Sequence, residues 1–245
     1  MNNKVVLITG ASRGIGKACA KAGAKAGFSL AITCQSSEKE LLSLSESLQQ
    51  EYNTQCLPSI GNIGNPEYVK ILFSEIMIRF GKIDIIINNA GISHIGLLQD
   101  MEYDTWTQLL NTNLTSAFLC CKEAIPHMLS QQSGSIVNIS SVWGNTGASC
   151  EAAYSADKGA LNTFTKALGR ELAPSGIRVN AIALGAIETT MNHFLSAEEK
   201  ALLVEEIPSG RFGTPEEAAD LILDIATNHP YLTAQVITMD GGWQN

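Results

Sequence analysis

The chain has 245 residues, 45% hydrophobic and 16% charged, a composition that provides for a sizeable core and argues against disorder. Its 24 acidic and 16 basic residues give a net charge of −8, which argues against a nucleic-acid partner or an anionic membrane surface because a negative field repels phosphate. Apolar runs stay short of the roughly 18 residues that a membrane-spanning helix needs, so a membrane protein is not expected.

Seven short apolar segments alternate with longer helical patterns along the chain. Most of them are continuously hydrophobic, which is typical of parallel strands covered by helices on both faces. The predicted strands are Val5–Thr9, Ser29–Thr33, Gln55–Ile60, Ile83–Asn88, Ser135–Ser140, Arg178–Ala183 and Gln235–Asp240.

Several predicted helices have recognisable ends. Ser37 begins a possible capping box, and Asn65 and Thr214 each precede a proline at the first helical position. Gly27 and Gly81 stand where helices are expected to end.

The strand–helix alternation runs through the chain without a linker, repeat or low-complexity segment. It predicts one doubly wound, Rossmann-type α/β domain over residues 1–245, with a seven-stranded parallel sheet and right-handed crossovers. The ligand site of such a sheet lies at the carboxyl ends of its strands.

Residues 188–210 are the least sheet-like part of the chain. They follow a strand end directly and predict a short helical lid, with a surface helical insertion as the alternative. The apolar positions of this segment are Met191, Phe194, Leu195 and Leu202.

Six cysteines show neither a Cys-x-x-Cys pair nor a repeated spacing. The polar start Met1–Lys4 leads directly into an apolar strand and does not resemble a signal peptide. Buried, reduced thiols are therefore favoured over disulfides or zinc ligands, and we expect a cytoplasmic protein without a metal site.

A glycine-rich turn follows the first strand. Gly10 permits a tight turn, Gly14 lets the backbone approach a pyrophosphate, and Gly16 allows close packing of helix on sheet. The following helix offers free N–H groups and a positive dipole end to a phosphate. The spacing GxxxGxG predicts a dinucleotide site, and a plain turn is the alternative. The predicted contacts are Gly10, Ala11, Ser12, Arg13, Gly14, Ile15 and Gly16.

The end of the second strand bears on the choice of cofactor. A carboxylate there would bind the adenosine ribose and repel a 2′-phosphate. The chain has no acid between Thr33 and Glu38, and Arg13 stands in the glycine turn. These features favour NADP(H) over NAD(H), with Ser36 as a further contact; a solvated surface charge is the alternative for Arg13.

The fourth predicted strand ends in small and amide side chains that suit a floor under the adenosine. An ordinary Asn-Gly turn is the alternative. The candidate contacts are Asn89, Ala90 and Gly91.

Tyr154 and Lys158 are four residues apart on a predicted helix, so their side chains share one face. A nearby ammonium stabilises the tyrosinate and lowers the pKa of a phenol from its ordinary value of about 10. Ser141, at the end of the fifth strand, can donate a hydrogen bond to a carbonyl oxygen that Tyr154 protonates. Without Ser141, a helix-surface contact would be the simpler interpretation.

These motifs occur in one order along one chain. In combination they resemble the short-chain dehydrogenase/reductase family over residues 4–243, and within it the chain is most similar to bacterial 3-oxoacyl-(acyl-carrier-protein) reductases. The matching segments are Thr9–Gly16, Asn88–Gly91, Asn111–Leu114, Ile139–Ser141, Tyr154–Lys158, Arg178–Asn180 and Asp240–Gly242.

The resemblance implies roles that the residues alone do not assign. Asn113 would hold a water in a proton relay with Lys158, which would also bind the nicotinamide ribose. Asn62 and Ile63 match a pair at the adenine, and Ile187 and Thr189 match the segment at the nicotinamide carboxamide. The family further implies a homotetramer.

The implied activity is NADPH-dependent reduction of a carbonyl to a secondary alcohol, with a 3-oxoacyl thioester as the first candidate substrate. One alternative is an NADP(H)-dependent enzyme acting on a small alcohol, sugar or ketone; another is a cofactor-binding scaffold without turnover. Gln132 and Ser175 stand where the reductases commonly carry arginine, which weakens the case for an acidic carrier protein. Trp143, beside Ser141, would either narrow the substrate pocket or pack under a loop.

Overall fold

The computed structural model describes residues 4–192 and 195–243. Its strands are β1 (Val5–Ile8), β2 (Ser29–Cys34), β3 (Cys56–Ile60), β4 (Ile85–Asn88), β5 (Gly134–Ser141), β6 (Ile177–Leu184) and β7 (Val236–Met239). Its helices are α1 (Gly14–Lys25), α2 (Glu38–Tyr52), α3 (Pro66–Phe80), α4 (Tyr103–Leu110), α5 (Ser116–Gln131), α6 (Trp143–Thr146), α7 (Ala152–Leu172), α8 (Ala197–Glu206) and α9 (Pro215–Thr227).

All seven strands form one parallel sheet in the order β3-β2-β1-β4-β5-β6-β7. The chain winds outward from β1 to β3 and then returns to place β4 on the other side of β1. This is the topological switch point at which such sheets bind ligands. The predicted fold class is confirmed, and each predicted strand begins and ends within two residues of the observed one.

Each face of the sheet is covered by a layer of helices, which explains the continuously apolar strands. In β1, Val6 and Ile8 pack in one buried cluster with residues of α1, α2 and α9. Val5 and Leu7 pack in a second cluster with residues of α3, α5 and α7. Because neighbouring residues of a strand point to opposite faces, both sets must be apolar.

All three predicted helix starts are confirmed, and two of them have the predicted side-chain cap. The Asn65 side chain accepts hydrogen bonds from the N–H groups of Glu67 and Tyr68, and Thr214 forms a reciprocal capping box with Glu217. The capping box at Ser37 is wrong: Ser37 precedes α2 at φ −92° and ψ 59°, and its side chain does not cap the helix. An N-cap residue usually has extended backbone, which aims its oxygen at the helix.

The cysteines are free, and five of the six are buried, as predicted. Cys150 is the exception: it is exposed in the loop before α7, at a φ of 62°. No helix in the described residues is both long enough and apolar enough to cross a membrane.

The segment 188–210 is helical in part, with a single 3₁₀ turn at Thr190–Asn192 followed by α8. Ser196 and Glu199 form a capping box that fixes the start of α8. Leu202 is 62% exposed and Met191 42% exposed, so neither contributes to the core. Phe194, predicted as a further apolar position, lies outside the described residues.

Candidate active site

A cleft of about 670 Å³ opens over the switch point, lined by the carboxyl ends of β1, β2, β4, β5 and β6. Its volume is in the range of small-molecule and cofactor sites. Sequence reasoning placed the ligand site at this edge of the sheet.

The glycine turn after β1 is packed against the end of β4. A Cβ atom on Gly10 would lie 2.9 Å from the Cα of Ala90, and one on Gly16 would lie 2.3 Å from the carbonyl oxygen of Gly10. The Asn89 side chain donates hydrogen bonds to the carbonyl oxygens of Thr9 and Gly10, at 2.9 and 3.0 Å. Any side chain at Gly10 or Gly16 would therefore force the turn apart.

The N-terminus of α1 is left open towards this cleft. Its N-cap residue Arg13 forms no side-chain cap within the described part of the chain, and the first turn of α1 holds no acidic residue. By contrast, α8 and α9 each begin with a capping box that accepts from an N–H group of the first turn. Each also has two glutamates in that turn. The free N–H groups and the dipole of α1 thus favour an anion beside Gly14.

Most of the predicted cofactor contacts line the cleft: Gly10, Ser12, Arg13, Gly14, Ile15, Ser36, Ile63, Asn89, Ala90, Gly91, Ile187 and Thr189. Three of them do not. Ala11 is fully buried and its N–H donates to the carbonyl oxygen of Thr33 at 2.8 Å. Gly16 lies beneath the turn, and the Asn62 side chain accepts from the N–H of Gly64 at 2.9 Å.

Ser141, Tyr154 and Lys158 line the same cleft. The Nζ atom of Lys158 donates to the carbonyl oxygen of Ile139 at 2.8 Å and lies 5.5 Å from the centroid of the Tyr154 ring. The helix α7 carries both side chains to the end of β5, where Ser141 stands.

The electrostatics keep a proton on Tyr154. The Tyr154–Lys158 spacing predicted a lowered phenol pKa, but burial raises the pKa of Tyr154 well above its usual value. The charge of Glu151 raises it further, and the hydrogen bond with Ser141 lowers it. Burial lowers the pKa of Lys158 to about 8, against the opposing effect of Asp157. At neutral pH the phenol is therefore a proton donor and the amine is still mostly an ammonium.

Asn113 lies behind the cleft, in a π-helical turn at Asn111–Thr115 that joins α4 to α5. Such turns occur often at functional sites. Its Oδ1 accepts from the N–H of Ile92 at 2.8 Å, and its Nδ2 donates to the carbonyl oxygen of Ile92 at 3.0 Å. A Cβ on Gly91 would lie 3.3 Å from Asn113 Oδ1 and 3.6 Å from Lys158 Nζ, so Gly91 lies close to both polar groups.

Sequence reasoning missed several parts of the site. Further cleft residues stand at strand ends and in the lid segment: Thr33, Cys34, Gln35, Ser37, Gly61, Ile92, Ser93, Thr112, Ile139, Ser140, Leu184, Gly185, Thr190 and Met191. Their positions at the carboxyl ends of strands were a usable signal for many of them. Asp157 was missed although it lies three residues after Tyr154, a spacing that puts both on one side of α7.

Trp143 packs edge-to-face against Trp243, with ring centroids 4.9 Å apart and an interplanar angle of 65°. It is not among the residues that line the large cleft. The Trp243 indole N–H lies 3.4 Å from a carboxylate oxygen of Glu206 at the end of α8. The two tryptophans thus connect the segment that follows Ser141 to the end of α8.

Comparison with known proteins extends these observations. A family model described as short chain dehydrogenase matches residues 4–200. The chain is 40% identical to a 3-oxoacyl-[acyl-carrier-protein] reductase, FabG, of Aquifex aeolicus, over 99% of this chain and 98% of the relative. It is 38% identical to an uncharacterized oxidoreductase, YmfI, of Bacillus subtilis, over 98% and 99% of the two chains. A FabG of Thermotoga maritima is 38% identical, over 99% and 98%.

Proposed function

We propose that this chain, which belongs to the short-chain dehydrogenase family, is an NADPH-dependent reductase that converts a carbonyl to a secondary alcohol. Family membership makes it an oxidoreductase that uses a nicotinamide cofactor. One observation supports NADPH-dependent carbonyl reduction above all. Ser141, Tyr154 and Lys158 line one cleft, beside a helix N-terminus that has no side-chain cap.

The residues of the cleft fit a dinucleotide. The N–H groups at the start of α1 would hold the pyrophosphate, and Gly10 and Gly14 leave room for the approach of its oxygens. Arg13 would pair with the 2′-phosphate, while Lys158 would bind the nicotinamide ribose. The segment from Ile187 to Thr189 would contact the carboxamide, with α8 as a lid over it.

The catalytic roles follow from protonation states and positions. When bound, the nicotinamide supplies a hydride to the carbonyl carbon. Ser141 donates a hydrogen bond to the carbonyl oxygen and orients it, and Tyr154 transfers its phenolic proton to that oxygen. The Lys158 ammonium stabilises the tyrosinate that remains. Asn113 would hold the water through which the proton is replaced.

The test of this proposal follows NADPH oxidation with acetoacetyl thioesters, free ketoacids, diketones and ketosugars. We expect turnover with at least one carbonyl class. A protein that binds NADPH but neither reduces any of these carbonyls nor oxidises the matching alcohols would instead be a scaffold without turnover.

A 3-oxoacyl thioester is the first candidate substrate, because relatives at 37–40% identity are named as 3-oxoacyl-carrier-protein reductases. A small carbonyl compound that is not linked to a carrier is the second candidate. It is favoured by Gln132, which ends α5 without a charge, and by a net charge of −8, because an acidic carrier protein would be repelled.

We predict that acetoacetyl-carrier protein is reduced with a kcat/KM less than about tenfold above that of acetoacetyl-CoA, because few steering charges remain. The two substrates are compared at low and at high salt. Lys166, Arg170 and Arg211 are candidate cations that would compensate for the missing charges. Arg211 is already paired with Glu217 at 2.6 Å. A large carrier advantage that vanishes in salt would contradict the prediction and favour fatty-acid elongation.

We also propose a homotetramer, with α7 and the edge strand β7 at interfaces. The position of β7 at the edge of the sheet supports this proposal. Its residues are only partly buried, and proteins usually cover an exposed sheet edge. Light scattering on the purified protein gives the number of 26.2 kDa subunits.

A further inference from the structure

A third ionisable side chain is buried beside Tyr154 and Lys158. Asp157 is 1% exposed and stands on α7 immediately before Lys158 and three residues after Tyr154. A carboxylate is rarely enclosed in this way unless several hydrogen bonds or a close cation stabilise it. Asp157 has a single side-chain hydrogen bond and no salt bridge among the described residues.

Among the described residues, Asp157 makes one side-chain hydrogen bond. Its Oδ2 accepts from the Nδ2 of Asn113 at 3.2 Å. Its Oδ1 is fully enclosed and has no hydrogen-bond partner within residues 4–192 and 195–243. The carboxylate therefore has an unused acceptor next to the residue proposed to hold the relay water.

This contact uses the last hydrogen-bond donor of the Asn113 side chain. One Nδ2 hydrogen and the Oδ1 atom are used by the backbone of Ile92, and the second Nδ2 hydrogen goes to Asp157. An ionised carboxylate can only accept, so it fixes which end of the amide faces α7.

The charges around Asp157 are few. Burial raises the pKa of Asp157 to about 6, while Asn113 and the positive charge of Lys158 lower it. In return, Asp157 raises the pKa of Lys158 and that of Tyr154. Of the elements packed against this stretch, α4 carries Tyr103 and Asp104, both exposed. The other nearby charge acts on Tyr154; it belongs to Glu151, the residue that immediately precedes α7.

The described residues of α6, β5, β7 and the π-helical turn carry no ionisable side chain. The one on β6 is Arg178, near the start of that strand, where its guanidinium bonds to carbonyl oxygens of α9. Among the described residues, Asp157 is thus the buried charged neighbour that acts on Lys158.

We propose that Asp157 is a positioning residue of this active site: it orients Asn113 through a hydrogen bond and keeps Lys158 protonated through its charge. The inference rests on the proposed function, in which Lys158 acts as an ammonium and Tyr154 as an acid. It adds to that function a carboxylate that sets the alkaline limit of activity.

The test is the pH profile of kcat for carbonyl reduction in Asp157→Asn. An asparagine keeps an acceptor for Asn113 but removes the charge. Without that charge the pKa values of Lys158 and Tyr154 both fall, so the alkaline limb of the profile moves to lower pH, by about one unit. Asp104→Asn is the matched control, since it removes an exposed carboxylate from the neighbouring helix, and its profile should match the wild type.

A second variant separates the hydrogen bond from the charge. Asp157→Ala loses both, and we expect it to lower kcat at the pH optimum by about tenfold relative to Asp157→Asn. Thermal melts of the two variants check that both are folded. An unshifted alkaline limb in a folded Asp157→Asn would overturn the proposal, whatever the activity of the alanine variant.

The titration of Lys158 can also be read without turnover, by NMR of protein labelled with ¹³C at the lysine Cε and assigned with Lys158→Arg. A lower lysine pKa in Asp157→Asn supports the proposal even if every carbonyl tested proves inert, an outcome that would overturn only the proposed function. An unchanged lysine pKa in active enzyme would overturn the role of Asp157 alone.

Discussion

Replacing Tyr154 by phenylalanine is expected to lower kcat for carbonyl reduction by about 10²-fold or more, within the range that a positioned general acid contributes. The substitution removes the phenolic proton and keeps the ring, which is 9% exposed. Because the buried phenol is neutral in the wild type, its loss leaves no unpaired charge behind. The fold and the affinity for NADPH should therefore survive.

The measurement compares steady-state rates with NADPH binding followed by fluorescence, for Tyr154→Phe and for the control Tyr103→Phe. Tyr103 begins α4 and is 78% exposed, so its variant should keep wild-type activity. If Tyr154→Phe kept more than a tenth of the wild-type rate, another group would have to supply the proton.

The sequence was most informative where local pattern and tertiary environment agree. The β1 strand is apolar at four successive positions, all of them buried, and only a strand covered on both faces requires that. The helix starts at Asn65 and Thr214 were readable because a capping side chain acts within three residues of its own position. Ser37 has the same chemistry, but its backbone is not extended and its side chain does not cap α2.

The site was predictable to the extent that it is built from strand ends and from one helical face. Tyr154 and Lys158 meet Ser141 because α7 packs along β5, which follows from the parallel topology. The pairing of Asp157 with Asn113 joins residues 44 positions apart and depends on a π-helical turn. No local pattern marks such a turn, and its contact with α7 joins distant parts of the sequence.

The proposed preference for NADPH over NADH rests on the surroundings of Arg13. The side chain is exposed, lines the cleft, and forms no ion pair with any other described residue. Across the cleft, the end of β2 offers Gln35, Ser36 and Ser37 and no carboxylate. Glu38 and Glu40 follow these residues in the first turn of α2, where their negative charges interact favourably with the helix dipole.

We therefore predict a kcat/KM at least about tenfold higher with NADPH than with NADH, equivalent to about 1.4 kcal/mol. A charge-assisted hydrogen bond from Arg13 to the 2′-phosphate is sufficient for a difference of this size. Arg13→Ala should lower kcat/KM for NADPH by a similar factor and leave that for NADH unchanged. Lys17→Ala is the matched control, because it removes a positive charge from the same helix at a residue that does not line the large cleft. Equal efficiency with both cofactors, or a preference for NADH, would show that the 2′-phosphate is not recognised here.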